Sequence, residues 1–258
     1  MHFYKYQGAG NDFILVDNRD QAINHENPAW IASICDRRFG VGADGMMFLQ
    51  SREGYDFEMV YYNSDGKPSS MCGNGGRCIV AFAKHMGVIK SETNFLAVDG
   101  PHYAKVSEEG NWVSLQMIDV QSIINDGKAQ VLDTGSPHYV VTTAGLSGKD
   151  VYSEGRSIRY NETYKDTGIN VNFVEDMNDH YFVRTYERGV EDETFACGTG
   201  VTAVALAMAK AKGQSGDIYT KIKVLGGNLN IRFHHDGKKF SNIFLEGPAE
   251  YVFEGDIK

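Results

Sequence analysis

Two cysteines lie in short stretches of nearly the same sequence, and their positions suit them to chemistry. Cys72 lies in Met-Cys-Gly-Asn-Gly-Gly-Arg-Cys at 71–78, and Cys197 lies in Ala-Cys-Gly-Thr-Gly-Val-Thr-Ala at 196–203. Each cysteine begins a Cys-Gly-polar-Gly frame that runs into a helix-forming segment. The second frame follows the first by about half of the 258 residues, which predicts two homologous halves, each with a cysteine at the first turn of a helix.

A thiol at the N-terminus of a helix is acidified, because the unpaired N–H groups and the helix dipole favour the thiolate. The same N–H groups bind anions, and the glycines of both frames let a ligand approach the backbone. Two such helix ends at one pocket would bind a carboxylate, with a thiol on each face of the adjacent carbon. A thiolate on one face and a thiol on the other suit proton removal and return, which is racemisation or epimerisation.

Packing is the alternative role for these cysteines. Either Cys72 or Cys197 alone could be a small apolar residue at a helix start, but their repeated frame favours chemistry. Cys78 falls inside the helix that Cys72 begins, and Cys35 falls inside another predicted helix. We therefore expect Cys35 and Cys78 to be core thiols.

The elements that position the cysteines follow from the pattern of apolar residues, caps and glycines. Helices are predicted at about 27–37, 72–86 and 198–212. The third helix is apolar nearly all round, so it must be covered on most sides. A polar stretch at 145–168 stands where the first half has its 27–37 helix, and its weak pattern predicts no helix. Short strands are expected near 3–7, 13–17, 56–62, 94–99, 102–107, 112–117, 168–174, 180–187, 219–224, 228–234, 241–246 and 249–254.

These elements predict an α/β (α+β) fold of two pseudo-symmetric halves, each a curved, mostly antiparallel sheet wrapped around a central helix. The long crossover helices of a doubly wound parallel sheet are missing. Residues 1–118 form the N-terminal half with Cys72, and residues 119–258 form the C-terminal half with Cys197. Whether the C-terminal strand completes the N-terminal half stays open. We expect the active site in the cleft between the halves.

Composition excludes several classes of protein. The net charge of −9 argues against a nucleic-acid partner, and no run of about 20 apolar residues is present to span a membrane. The N-terminus lacks a basic region followed by an apolar run, so we expect no signal peptide. Without an export signal, the four cysteines are expected to be reduced thiols in the cytoplasm rather than disulfides. They include no Cys-x-x-Cys pair, which argues against a zinc ribbon and a thioredoxin-like protein.

An ordered set of motifs covering nearly the whole chain resembles the diaminopimelate epimerase family. The motifs are Gly8-Ala-Gly-Asn-Asp-Phe13, Arg38-Phe-Gly-Val-Gly-Ala-Asp-Gly45, Asn63-Ser-Asp-Gly66, Met71-Cys-Gly-Asn-Gly-Gly-Arg77, Gly135-Ser-Pro-His138, Asn170-Val-Asn-Phe173, Tyr186-Glu-Arg-Gly189, Ala196-Cys-Gly-Thr-Gly200 and Gly226-Gly-Asn-Leu229. Each motif alone is weak, but together and in this order they are specific.

This resemblance implies a cofactor-independent isomerase that interconverts LL- and meso-diaminopimelate, with neither pyridoxal phosphate nor metal. It implies the acid/base pair Cys72 and Cys197, and two residues that tune the thiols, His138 and Glu187. The backbone N–H groups that hold the reacting carboxylate would belong to Gly73, Asn74, Gly198 and Thr199. The remaining substrate contacts would be Asn11, Asn63, Asn170 and Arg188, the last suited to the distal carboxylate as a bidentate partner. The resemblance also implies a homodimer and a place in lysine and peptidoglycan precursor biosynthesis.

The chain departs from the family pattern at two places. The family usually has Gly-Asn-Pro-His where this chain has Ser136, which predicts a shortened or lost amide contact. Between Glu187 and Cys197 the family commonly runs Glu-Arg-Gly-Val-Gly-Glu-Thr, whereas this chain has Glu-Arg-Gly-Val-Glu-Asp-Glu-Thr. The segment is one residue longer and more acidic, so we expect a different loop before Cys197 and some change in fine specificity, but no change in the role of the cysteine.

Three other functions stay open at this point. A proline or hydroxyproline racemase-like enzyme would use the same two cysteines, but the short chain, the Met-Cys-Gly-Asn-Gly motif and the pair Glu187-Arg188 argue against it. A thiol redox or peroxide-sensing protein would join Cys72 and Cys197 in a disulfide, yet no resolving-cysteine motif is present. A non-catalytic module would bind an amino acid without turnover, so serine in place of either cysteine would barely change its affinity.

Overall fold

Internal contacts divide the chain into two units. The computed structural model describes residues 1–69 and 71–257, so residues 70 and 258 of the predicted halves lie outside the described part. The first unit comprises Met1–Leu115 with Gly247–Lys258, and the second comprises Gln116–Glu246. The first unit thus ends its main segment at Leu115, where the sequence predicted a boundary at 118. The C-terminal strand lies with the first unit, an arrangement that the sequence had left open.

The described α-helices are α1 (Pro28–Cys35), α2 (Gly73–His85), α3 (Val151–Arg159) and α4 (Gly198–Ala211), with a short 3-10 turn at Leu146–Gly148. α1 begins as its sequence predicts, since Asn27 caps it through the N–H of Trp30 at 3.2 Å and Pro28 follows. α2 and α4 each end two residues before a glycine with positive φ, +68° at Gly87 and +63° at Gly213.

The first unit forms its sheet from eight strands. Their bounds are β1 (His2–Gly8), β2 (Asn11–Asp17), β3 (Gly45–Gln50), β4 (Phe57–Asn63), β5 (Glu92–Ala97), β6 (Gly100–Val106), β7 (Trp112–Gln116) and, numbered last in the chain, β17 (Glu250–Asp256). The order is β17-β1-β2-β3-β4-β5-β6-β7, with β2–β3 and β4–β5 parallel and the other pairs antiparallel. α2 packs against β1, β2, β3 and β6, and its residues from Gly73 to Ala83 are buried.

The second unit repeats that order. Its strands are β8 (Ile124–Asp126), β9 (Ala129–Asp133), β10 (Pro137–Thr142), β11 (Asn170–Asp176), β12 (Tyr181–Glu187), β13 (Asp192–Thr194), β14 (Gly216–Val224), β15 (Gly227–His235) and β16 (Phe240–Pro248). The order is β8-β9-β10-β11-β12-β14-β15-β16, with β10–β11 and β12–β14 parallel, while β13 adds a short hairpin to β12. α4 packs against β9, β10, β11, β12, β14 and β15. In each unit, mostly antiparallel strands pack against one central helix, which confirms the predicted fold class.

One helix and several strands, β3 among them, were not predicted. α3 lies in the polar stretch at 145–168, where the apolar pattern is weak because only Val151 and Gly155 of this helix are buried. A cap could have revealed it, since Asp150 accepts a hydrogen bond from the N–H of Ser153 at 3.0 Å. β3 follows the glycine-rich segment 39–45 and pairs in parallel with β2. Within the described ranges, no helix has both the length and the apolar character needed to cross a membrane.

Candidate active site

Cys72 and Cys197 occupy equivalent positions as the N-cap residues of α2 and α4. Both have an extended backbone, with φ −107° and ψ 136° at Cys72 and φ −112° and ψ 111° at Cys197. Neither side chain caps its helix, and glycine is the first helical residue after each cysteine. A helix start of this kind attracts anions and favours a thiolate at the N-cap. The sequence therefore predicted the local setting of both cysteines correctly.

In the first unit, the side chains of Asn11, Cys72 and Asn74 meet. The Cys72 thiol lies 3.7 Å from Oδ1 of Asn11, to which it donates, and Nδ2 of Asn74 donates to the same oxygen at 3.4 Å. Asn11 reaches this position because it begins β2 directly after a tight turn, in which Ala9 and Gly10 have φ of 54° and 85°. Three of the predicted residues are thus brought together.

Ionic contacts hold the backbone that carries Asn11. Asp12 accepts hydrogen bonds from Arg37 at 2.7 and 3.0 Å and pairs with the buried Lys5 at 2.7 Å. Burial acts to raise the pKa of Asp12, but the hydrogen bonds from Arg37 and Lys5 outweigh it and hold that pKa well below its usual range. Asp44 accepts from Arg37 at 2.7 Å and from Nδ2 of Asn11 at 2.5 Å. Two carboxylates therefore fix the start of β2.

Arg77 is fully buried on the first turns of α2. It donates to the carbonyl oxygen of Gly73 at 3.2 Å, to Oδ1 of Asn74 at 3.0 Å and to the carbonyl oxygen of Pro248 at 3.3 Å. Among the described residues, no carboxylate forms an ion pair with it. Burial lowers its pKa, while the nearby Cys78 and Cys72 thiols act to raise it. A buried guanidinium close to Cys72 also favours the thiolate of that cysteine.

The predicted residue Asn63 lies near Asp44, to whose carbonyl the N–H of the next residue, Ser64, donates at 3.0 Å. It is exposed at the end of β4, where its backbone N–H donates to Lys67 at 3.0 Å and its carbonyl accepts from Gly66 at 2.9 Å. Its role in binding a substrate stays a prediction.

In the second unit, Cys197 and Thr199 lie side by side at the start of α4. The Sγ of Cys197 is 3.5 Å from Oγ1 of Thr199, and the carbonyl oxygen of Thr199 accepts from Oγ1 of Thr134 at 2.9 Å. The carbonyl oxygen of Gly198 accepts from Oγ1 of Thr202 at 2.9 Å. These contacts fix the first turn of the helix after Cys197.

Asn172 is a residue of this unit that the sequence analysis missed. It is completely buried, and both ends of its amide are held: Nδ2 contacts Nδ1 of His138 at 3.1 Å and the carbonyl of Tyr139 at 3.2 Å, while Oδ1 accepts from Thr185 at 3.0 Å. A Cβ on Gly200 would lie 2.4 Å from Asn172 Oδ1 and 3.2 Å from the Sγ of Cys197. Asn172 therefore packs on the first turn of α4. Its spacing of two residues from Asn170 on β11 puts both on one face and could have revealed it.

His138 is fully buried on β10, and its second ring nitrogen, Nε2, is a buried polar atom without a hydrogen-bond partner among the described residues. Burial lowers the pKa of His138 to about 3, the positive charge of Arg188 also acts to lower it, and the contact with Asn172 acts in the opposite direction. The ring is therefore neutral at physiological pH. A neutral imidazole with an unpaired nitrogen can exchange a hydrogen bond with a reacting group or a water molecule.

The sequence predicted that an amide contact is shortened or lost at Ser136. In the structure, the serine hydroxyl makes two hydrogen bonds. Its Oγ accepts from Nδ2 of Asn170 at 2.8 Å and from Nη2 of Arg188 at 3.2 Å. Asn170 in turn accepts from the backbone N–H of Arg188 at 2.9 Å. The hydroxyl thus joins two predicted substrate contacts, although it is shorter than the amide of the family pattern.

Arginine side chains form hydrogen bonds with the longer acidic segment before Cys197. Glu193 forms two hydrogen bonds with Arg184 at 2.6 and 2.7 Å, and Glu191 accepts from Arg159 at 3.2 Å. Glu187 accepts from Oγ1 of Thr194 at 2.8 Å, across the hairpin that this segment forms. The additional acidic residues therefore stabilise an ordered hairpin. Among the described residues, no group of three or more His, Cys, Asp or Glu side chains could hold a metal ion.

Comparison with known proteins decides the family. The family model described as diaminopimelate epimerase matches residues 3–123 and 130–252. The chain is 52% identical to the diaminopimelate epimerase of Flavobacterium psychrophilum, over 100% of both chains. It is 42% identical to that of Chlorobaculum tepidum, over 97% of this chain and 98% of the relative. The chain belongs to the diaminopimelate epimerase family.

Solved structures share the fold of this epimerase at low identity. A phenazine biosynthesis protein of the PhzF family from Bacillus anthracis matches with a TM-score of 0.79 and 16% identity, over 100% of this chain and 99% of that one. A hydroxyproline epimerase from Agrobacterium vitis matches with a TM-score of 0.72 and 12% identity, over 100% and 90%. The enzyme class and the fold predicted from the sequence are thus confirmed, whereas the roles of individual residues stay predictions.

Proposed function

We propose that this enzyme epimerises LL-2,6-diaminopimelate to meso-diaminopimelate without a cofactor, and that Cys72 and Cys197 are its two acid/base groups. The observation that carries the proposal is the shared geometry of the cysteines. Each is the N-cap of a buried helix, its side chain does not cap that helix, and glycine follows it. Two proton-transfer groups with nearly the same backbone geometry suit a reaction that is nearly the same in both directions.

The reaction needs one thiolate and one thiol. The thiolate takes the proton from the α-carbon, and the electron pair of that C–H bond moves into the adjacent carboxylate. The thiol then gives its proton to the opposite face of the carbon, and the two sulfur atoms have exchanged protonation states. The reaction therefore needs one cysteine from each unit.

The developing negative charge needs fixed donors. We assign the reacting carboxylate to the backbone N–H groups of the first turns of α2 and α4, which belong to Gly73, Asn74, Gly198 and Thr199. The neutral ring of His138 and the carboxyl of Glu187 tune the thiols. The distal end of the substrate binds Asn11, Asn63, Asn170 and Arg188. A substrate without a second amino-carboxylate end would leave such polar groups unpaired, which disfavours its binding.

By family resemblance we further propose a homodimer in the cytoplasm. Its product would enter lysine and peptidoglycan precursor biosynthesis. The coarser conclusion, an epimerase acting on a small molecule, rests on the family match.

The experiment is solvent deuterium incorporation at the α-carbon of LL-diaminopimelate, measured together with conversion to the meso form. Wild type should show both, and Cys72→Ser and Cys197→Ser should each lose them by a factor of at least about 100. Cys35→Ala is the matched control, because Cys35 is a buried thiol of α1 outside the proposed site, and its activity should stay within about twofold.

Three outcomes would overturn parts of the proposal. Exchange with proline but none with diaminopimelate would keep the chemistry and discard the substrate. Unchanged exchange in either cysteine variant would discard the two-base mechanism. Tight diaminopimelate binding without exchange in the wild type would indicate a binding module.

A further inference from the structure

A directed chain of hydrogen bonds runs past the Cys72 thiol in the first unit. Arg77 donates to Oδ1 of Asn74 at 3.0 Å, Nδ2 of Asn74 donates to Oδ1 of Asn11 at 3.4 Å, and Nδ2 of Asn11 donates to Asp44 at 2.5 Å. The chain begins at the guanidinium of Arg77, which can only donate, and ends at the carboxylate of Asp44, which accepts and is paired with Arg37 at 2.7 Å. The orientation of both amides between them is therefore determined by their partners.

The same hydrogen bonds determine which end of the Asn11 amide faces Cys72. Because Asp44 takes the NH₂ group of Asn11, the carbonyl oxygen of Asn11 must point the other way. That oxygen lies 3.7 Å from the Sγ of Cys72. A carbonyl oxygen accepts from a thiol and cannot donate to a thiolate, so this contact stabilises the protonated form of Cys72.

Asp44 is itself held in place. Its carboxylate accepts from Arg37 at 2.7 Å and from the backbone N–H of Asp12 at 3.2 Å, and its own N–H donates to the carbonyl of Asp12 at 2.9 Å. Two of these contacts involve the backbone of Asp12, the residue next to Asn11, so Asp44 has little freedom to turn away from that side chain. The Asp44 side chain is 42% exposed, so one side of it faces solvent.

We infer that Asp44 is a positioning residue for the reaction, which fixes the carboxamide of Asn11 so that its carbonyl oxygen faces the Cys72 thiol. The importance of that orientation for turnover rests on the proposed function. The orientation itself does not, and it can be tested through the reactivity of Cys72 in the absence of any substrate.

The test is the pH dependence of Cys72 alkylation by iodoacetamide, resolved by mass spectrometry of the Cys72 peptide in the folded full-length protein. Asp44→Ala removes the acceptor of the Asn11 NH₂ group and leaves the longer hydrogen bond from Asn74, at 3.4 Å, to orient that amide. The carbonyl oxygen of Asn11 is then held less firmly at the thiol, so Cys72 should react about tenfold faster at a pH below the midpoint of its profile. Asp44→Asn is the conservative variant. Its amide oxygen can still accept from Asn11 and from the N–H of Asp12, so it should stay within about twofold of the wild type.

These two variants separate position from charge. Both remove the negative charge of Asp44, and loss of that charge alone would speed alkylation equally in both. Asp17→Asn is the matched control, because Asp17 forms a comparable ion pair with Arg19 at 2.6 Å in the same unit and makes no hydrogen bond to Asn11. The double variant Asn11→Ala/Asp44→Ala should react like Asn11→Ala alone, since Asp44 acts through Asn11.

Equal acceleration in Asp44→Ala and Asp44→Asn would overturn the inference in favour of a charge effect. The inference would also be overturned if Asp44→Ala did not speed Cys72 alkylation. It would equally be overturned if adding Asp44→Ala to the Asn11→Ala variant sped alkylation as much as it does in the wild type. Deuterium exchange with LL-diaminopimelate, run on the same proteins, distinguishes the two proposals. If the wild type does not exchange, the proposed function fails while the alkylation result still decides the role of Asp44.

Discussion

Ser136 and Arg188 are joined through a hydrogen bond of 3.2 Å from Nη2 of the arginine to the serine hydroxyl. Arg188 is exposed, and its other terminal nitrogen donates to the carbonyl of Thr167 at 3.1 Å. Two fixed acceptors thus set the plane of a guanidinium that we expect to hold the distal carboxylate of the substrate. A mobile arginine would lose entropy on binding that this one has already lost on folding.

Ser136→Ala should therefore weaken substrate binding more than it slows the chemical step. We expect KM for LL-diaminopimelate to rise about five- to tenfold with kcat within about twofold, because one or two hydrogen bonds are lost away from the reacting carbon. Steady-state kinetics measures both constants. Ser33→Ala, which removes an exposed hydroxyl bonded to the carbonyl of Trp30 in α1, is the control, and Ser136→Asn should restore binding. A fall in kcat at constant KM would contradict this role.

Gly200→Ala should disrupt the start of α4. The new Cβ would lie 2.4 Å from Oδ1 of Asn172, a buried side chain that cannot move aside without losing its own hydrogen bonds. We expect a loss of about 1–3 kcal/mol in the free energy of unfolding, with a fall in exchange activity as Cys197 is displaced. Denaturant unfolding and deuterium exchange check the two effects. Gly148→Ala is the control, since a Cβ there meets nothing within 4 Å, and equal stability of the two variants would refute the argument.

The buried neutral His138 makes stability depend on pH. Burial lowers its pKa in the folded state to about 3, from an ordinary value of 6.5. Between these values the unfolded chain binds the proton and the folded chain does not, so stability falls as the pH drops from about 6.5 towards 3. His138→Gln should remove about 1.4 kcal/mol per pH unit of that dependence. Unfolding curves at several pH values from 6.5 to 4 measure it, and parallel curves for the two proteins would show that His138 does not contribute.

Cys35 and Cys78 should be unreactive in the folded enzyme. Burial raises the pKa of Cys35 to about 11 and that of Cys78 to about 12. At a pH of about 8 their thiolate fractions are therefore small, and their burial also blocks access by the reagent. We expect iodoacetamide to modify Cys72 at least about 100-fold faster than Cys35 or Cys78, and all four cysteines to react after denaturation. Modification of Cys78 at the rate of Cys72 in the folded protein would show that the core opens around α2.

The sequence by itself determined the features that depend on neighbouring residues. The N-cap positions of Cys72 and Cys197, the glycines after them and the ends of α2 and α4 are local, because helix periodicity and capping act within a few residues. The internal repeat predicted two similar units, and the order of the motifs along the chain indicated the family.

Only the tertiary structure decided the features that join distant parts of the chain. The capped helix α3 packs closely on Tyr186 because Gly155 has no Cβ, and the local sequence does not contain that contact. The bond between Asn172 and His138 and the one between Asp44 and Asn11 each join strands or loops that lie more than thirty residues apart in sequence. The direction of a hydrogen bond and the closeness of a contact depend on where two distant residues lie in the folded chain. The sequence supplies only the types of those residues.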